Sequence, residues 1–267
     1  MKKIITAIGV LSGIITIFQF LQALITERKI VITPLIIVCG CIVIGSVLTL
    51  TIFSHKRLQY FIYKCVSYVT RRPNLPYYLK EKEIRYTYKT RSDLSYQKKT
   101  VLIAQVNGLT SFKSKFRWSK PQRLEDFHVT CTSPHTKLTL GRDTTWNTYT
   151  VEFPSPPKGG ERTVDILIDN LSDLNCEAVP FCSASIVERT KKLKIVVALE
   201  GGVKFKLDSI RFLVYDNGAS TFPVLEEAYS SEKKNKFIKY DPEHMQITVE
   251  EKYPVYGYKY QLAWDFQ

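Results

Sequence analysis

The sequence predicts a membrane-anchored all-β protein: an N-terminal two-helix transmembrane hairpin followed by an antiparallel β-sandwich, with a β-barrel as the alternative closure. Two observations predict the hairpin and one predicts the sheets. Residues 4–25 and 30–53 are uncharged apolar runs, each long enough for a span of about 20 residues. Only Thr26-Glu27-Arg28-Lys29 separates them. From Glu81 onward, short runs rich in Val, Ile, Thr, Tyr and Phe alternate with Gly, Pro, Asn and Asp, the pattern of half-buried strands divided by turns.

The first run is too long for a signal-peptide core and is followed at once by the second, so the pair reads as a hairpin. Gly9, Ser12, Gly13, Thr16 and Gln19 recur at three- and four-residue spacing and therefore share a helix face. Small residues at such spacing let helix backbones approach closely, and an amide in lipid seeks a partner. That face either packs against the second run near Gly40 and Gly45 or joins copies of the chain in a homo-oligomer.

Residues 55–80 form a basic juxtamembrane segment. Leu58, Phe61, Ile62, Cys65, Val66 and Val69 follow helical spacing, and Pro73 ends the helix. Lys56, Arg57, Lys64, Arg71 and Arg72 are its candidate membrane-surface cations, suited to anionic lipid headgroups. Most of the net charge of +13 lies in residues 1–80. Residues 1–80 carry ten Lys/Arg and one acid, whereas residues 81–267 carry 28 and 24. The β-region is thus only mildly basic, and general nucleic-acid binding is not expected. The excess of Lys and Arg outside the short connector places both termini in the cytoplasm. Six scattered cysteines do not form a disulfide framework.

Residues 81–267 contain about a dozen strand signals, among them Ile84–Thr90, Val101–Asn107, Leu109–Trp118, Thr163–Ile168, Leu193–Leu199 and Ser209–Tyr215. Asn107-Gly108, Gly201-Gly202 and Asp216-Asn217-Gly218 supply turns. Tyr229 to Lys239 reads as a charged loop.

No nucleophile elbow, phosphate loop, dinucleotide fingerprint or zinc-protease motif occurs, so neither catalytic residues nor cofactors are predicted. His128, Cys131 and His135, even with Cys176 and Cys182, lack an ordinary zinc spacing, and no metal site is predicted. The informative soluble segment is residues 112–120. As a strand it places Phe112, Phe116 and Trp118 on one face, and Lys113, Lys115 and Arg117 on the other. Adjacent cations repel unless an anion relieves them. Lys113, Lys115, Arg117 and Trp118 are therefore the candidate ligand-binding residues, against the plainer reading of a solvated outer sheet face. Arg189, Lys191, Lys192 and Lys194 form a second basic cluster open to the same two readings.

This order of parts resembles the small two-span, β-rich effectors of bacterial antiphage signalling. The resemblance implies a non-enzymatic protein of the bacterial inner membrane. Its β-domain would bind a cyclic nucleotide or other anionic ligand, and its hairpins would assemble to perturb the lipid bilayer. The contrasting expectation is a structural scaffold presenting the sandwich to a cytoplasmic partner. A tethered hydrolase with a site assembled from scattered residues is the third.

Overall fold

A computed structural model describes residues 45–46, 56–70, 75–116, 128–143, 146–172, 179–216, 222–232 and 237–267. The chain divides into two compact units, Met1–Gln59 and Tyr60–Gln267. In the first unit only Gly45, Ser46 and the start of one helix are described. Among its described residues the second unit is all-β apart from the remainder of that helix.

The helix, α1 (Lys56–Thr70), has 15 residues. At 1.5 Å per residue it extends about 22 Å, short of a hydrocarbon layer of about 30 Å. Among the described residues no helix is long and apolar enough to cross a membrane. This corrects the expectation of a transmembrane hairpin, and with it the multi-pass inner-membrane placement. The apolar runs themselves, with Gly9, Ser12, Gly13, Thr16 and Gln19, lie outside the described residues; only Gly45 and Ser46 of the second run are described, in helical conformation.

Among the described residues fourteen strands follow: β1 (Tyr77–Tyr88), β2 (Asp93–Ala104), β3 (Ser111–Phe116), β4 (His128–Cys131), β5 (Lys137–Asp143), β6 (Trp146–Glu152), β7 (Glu161–Ser172), β8 (Phe181–Ser185), β9 (Lys192–Leu199), β10 (Phe205–Asp216), β11 (Leu225–Ala228), β12 (Ile238–Asp241), β13 (Gln246–Lys252) and β14 (Tyr258–Phe266). They form three sheets, in the orders β12-β13-β9-β1-β2-β7-β4, β11-β10-β14-β8 and β3-β6-β5. The largest sheet is mixed rather than antiparallel, because β1 runs parallel to β9. Central strand β9 is accordingly apolar on both faces: Ile195, Val196 and Val197 are all buried, as expected for a strand covered on both sides.

One apolar cluster joins the sheets. Tyr88 of β1 meets Trp264 and Phe266 of β14 edge-on, with ring centroids 5.8 and 5.2 Å apart. Tyr77 of β1 meets Phe112 of β3 in the same way at 5.7 Å. Gly201, at φ +62°, turns the chain from β9 toward β10. A Cβ there would lie 2.4 Å from the Lys89 carbonyl oxygen, so only glycine fits.

Within the second unit, α1 meets the β-domain through buried Tyr60, whose ring lies edge-on to Tyr258 at 6.4 Å, and through polar contacts, while Phe61, Tyr63 and Val66 are exposed. Lys64 pairs with buried Glu251, and the Tyr60 and Tyr260 hydroxyls lie 3.1 Å apart. Tyr260 Oη also accepts the Val255 N–H at 2.7 Å, so the hydroxyl pair ties the helix to the turn before β14. Tyr60→Phe is therefore expected to remove a buried hydrogen bond and cost about 1–2 kcal/mol. Equilibrium denaturation checks this; an unchanged midpoint would show that the hydroxyl pair is not a stabilising contact.

Candidate functional site

The predicted binding segment falls on β3, which pairs with β6 alone among the described residues, making β3 an edge strand. Side-chain alternation sorts the small sheet into two faces. Phe112 and Phe116 are buried with Tyr149 and Val151 of β6, whereas Lys113 and Lys115 are exposed. In register beside these lysines stand Thr150 and Thr148 of β6, followed by Thr139 and Gly141 of β5. The outward face is thus a grid of cations and hydroxyls. Lys115 Nζ lies 4.7 Å from the ring centroid of Trp146, a cation–π distance. At the other end of the face, the row Ser111–Glu152–Lys137 opens into a shallow pocket of about 480 Å³, which Thr110 and His135 also line. Arg117 and Trp118 lie outside the described residues. The aromatic partner of the lysines is Trp146, one strand away, and strand register is the information the sequence lacked.

The second basic cluster divides in two. Lys192 Nζ lies 3.6 Å from Glu81 and 3.5 Å from Glu250, and Lys194 Nζ lies 3.2 Å from Glu83. These cations are neutralised across strands. Arg189 and Lys191 instead flank the Tyr78 ring, at 5.5 and 4.8 Å from its centroid. Of the juxtamembrane cations, Lys56, Arg57 and Lys64 lie on α1, with Lys64 turned to Glu251, whereas Arg71 and Arg72 lie outside the described residues. His128 and Cys131 sit at the two ends of β4, and His135 occupies a turn at φ +54°.

A third group went unforeseen. Lys82 of β1 and Lys98 of β2 point into the core, each only 5% exposed, beside Glu188 at 7%. Lys82 Nζ donates to the Ser185 carbonyl oxygen at 3.0 Å and lies 3.6 Å from Glu188 Oε2. Lys98 Nζ donates to Ser114 Oγ at 2.6 Å and sits 5.5 Å from the Tyr149 ring centroid. Burial lowers the Lys98 ammonium to about 8, against an opposing pull from Glu188. Burial and then the nearby Lys98 charge lower Lys82 as well. The Tyr77 hydroxyl is pushed up to about 12 by burial, then by Glu188 and Tyr149. Two amines and one carboxylate enclosed together form the least ordinary electrostatic feature of the domain. Lysines are so seldom buried that sequence patterning assigns them outward by default.

No protein-family model matches the sequence, and no characterised protein matches it. Among solved structures, an M1 zinc metallopeptidase from Deinococcus radiodurans is similar over 74% of this chain and 44% of its own, at 8% identity and TM-score 0.38. The collagen adhesin of S. aureus is similar over 71% of this chain and 81% of its own, at 8% identity and TM-score 0.23. The chain spans less than half the length of the peptidase structures it matches. Likeness at this level assigns neither family nor activity.

Proposed function

We propose that the β-domain is a binding module for an anionic ligand, taken on the outward face of β3, β6 and β5. One observation carries the reading: Lys113 and Lys115 project side by side with no ion-pair partner among the described residues, whereas Lys192 and Lys194 each have one or more. Two neighbouring ammonium groups attract an anion for the same reason that they repel each other. Thr148, Thr150 and Thr139 place hydroxyl donors beside them, and Trp146 offers an aromatic surface. Cations for phosphate oxygens next to an aromatic ring for a base suit a nucleotide. The resemblance to nucleotide-gated effectors makes cyclic nucleotides the first ligands to test. The reading assigns binding, not turnover, to this face.

Titration calorimetry of the chain against cyclic mono- and dinucleotides, with inorganic phosphate for comparison, tests it. The double variant Lys113→Ala/Lys115→Ala is expected to lose about tenfold or more in affinity, since a hydrogen bond to a charged group is worth about 1.5–3 kcal/mol. Affinity should also fall with added salt. Undiminished affinity in the double variant would remove this face from consideration. Failure of every anion to bind would favour a structural role, with the sheets presented to a protein partner.

A further inference from the structure

We propose that Ser114 and Lys98 form a nucleophile and general-base pair that acts on a carboxylic acyl group presented at the edge of β3. The first support is the direct contact between them: Lys98 Nζ and Ser114 Oγ are 2.6 Å apart. A serine is a weak nucleophile until a neighbouring base can take its proton, and a neutral lysine amine is one such base. Burial brings the neutral amine within reach, since it lowers Lys98 to about 8, above which the free base dominates. The groups facing Lys98 are Lys82 from β1, Tyr149 from β6 and Glu188 beyond β8. Glu188 raises Lys98, but burial outweighs it. Ser114, unlike Lys98, is only half-buried.

The second support is the backbone beside the serine. Phe153 N–H donates to the Thr110 carbonyl at 2.9 Å, which makes these residues a hydrogen-bonded pair in the β3–β6 ladder. Antiparallel pairs alternate, so Phe112/Val151 and Ser114/Tyr149 are also of this kind. The N–H and C=O groups of Lys113 and Lys115 then point away from β6, toward the edge where β3 has no strand partner among the described residues. An extended acyl segment can pair with such an edge. The Lys115 N–H, immediately after the nucleophile, is placed to donate to a carbonyl oxygen as it becomes an oxyanion.

In the acylation step, Ser114 Oγ adds to the acyl carbon as its proton passes to Lys98 Nζ. The tetrahedral oxyanion collapses, and the alcohol or amine departs with the proton that Lys98 returns. Water then attacks the acyl-serine, giving its proton through Lys98 to Ser114 Oγ and releasing the carboxylic acid. This chemistry lies on the opposite side of β3 from the anion-binding face and is independent of it.

A fluorophosphonate probe on the full chain, with the adduct located by mass spectrometry, tests the pair. Labelling of Ser114 is expected, at a rate that rises with pH through about 8. Ser114→Ala should abolish the adduct and Lys98→Met should slow it at least tenfold, whereas Lys113→Ala/Lys115→Ala should leave it in place. Because Lys98→Met also alters the core, the pH profile of the unaltered chain is the deciding measurement. No adduct on Ser114 at pH 8.5, where a known serine hydrolase is labelled, would overturn the proposal. So would a rate that is flat from pH 6.5 to 9.5, or undiminished labelling in a folded Lys98→Met chain.

Discussion

Glu188→Gln is expected to destabilise the β-domain by about 3–5 kcal/mol, roughly 10 °C in melting temperature for a domain of this size. The substitution keeps the shape of the side chain and removes only its charge. Lys82 Nζ, 3.6 Å away and 5% exposed, would then be a buried cation without this counter-ion, and Lys98 would lose the carboxylate that opposes the effect of burial. Breaking one side of a buried pair costs more than the pair itself contributes, because the surviving charge stays in a low-dielectric interior. Adding Lys82→Met to Glu188→Gln should therefore recover most of the loss, the two substitutions being coupled rather than additive. A loss below about 1 kcal/mol in the single variant, or no recovery in the double, would show that this ion pair does not hold the cluster together.

Lys98→Met is expected to act in the opposite direction and to depend on pH. Folding lowers Lys98 from its ordinary value of 10.5 to about 8. Between those values the unfolded chain holds a proton that the native protein does not, so native stability rises with pH across that window. Below pH 8 both states are protonated, and the buried ammonium exacts its full penalty, about 3 kcal/mol for a shift of this size. Methionine removes that penalty and gives up the hydrogen bond to Ser114, worth about 1 kcal/mol. The variant should thus be more stable than the native chain by about 2 kcal/mol near pH 7, with the advantage disappearing toward pH 10.5. Taking the difference between the two chains at each pH cancels ionisations they share, including the Cys182 thiol and the buried tyrosines, which burial pushes up. A difference that does not change with pH would refute the assignment of a depressed amine.

The parts of the fold that were legible are those in which one face is apolar throughout. Val164, Ile166 and Ile168 of β7 alternate in the sequence and are all buried. The first half of β2 was not legible. Its inward positions run Leu94, Lys98, Thr100 and Leu102, so the two lysines at 98 and 99 hid the strand. Strand β12, four residues long, begins inside the segment Tyr229 to Lys239 that reads as a charged loop. The exposure of Lys113 and Lys115 followed from alternation alone, since the phenylalanines on either side determine which way they point. The Lys82–Lys98–Glu188 group could not be read in this way, because it joins residues from distant segments whose register only the folded sheets supply. The apolar runs at residues 4–25 and 30–53 led to a hairpin and a membrane address. Those runs lie outside the described residues apart from Gly45 and Ser46, and the described helix that follows them, Lys56–Thr70, is too short and too charged to cross a bilayer.

The parallel pairing of β1 with β9 also constrains the order in which the chain can assemble. β1 and β2 form a local hairpin that can close as soon as both exist. The other edge of β1 must wait until β9 has been synthesised, and β9 in turn waits for β13 on its far side. Tyr88 gains Trp264 and Phe266 only when the last strand arrives. Contacts so distant along the chain make for slow folding, on the millisecond-to-second scale of all-β domains. During that interval the open edge of β1 is exposed to other chains on the ribosome's timescale, and aggregation competes with completion. The β13–β12 side of the largest sheet is therefore its last part to be sealed.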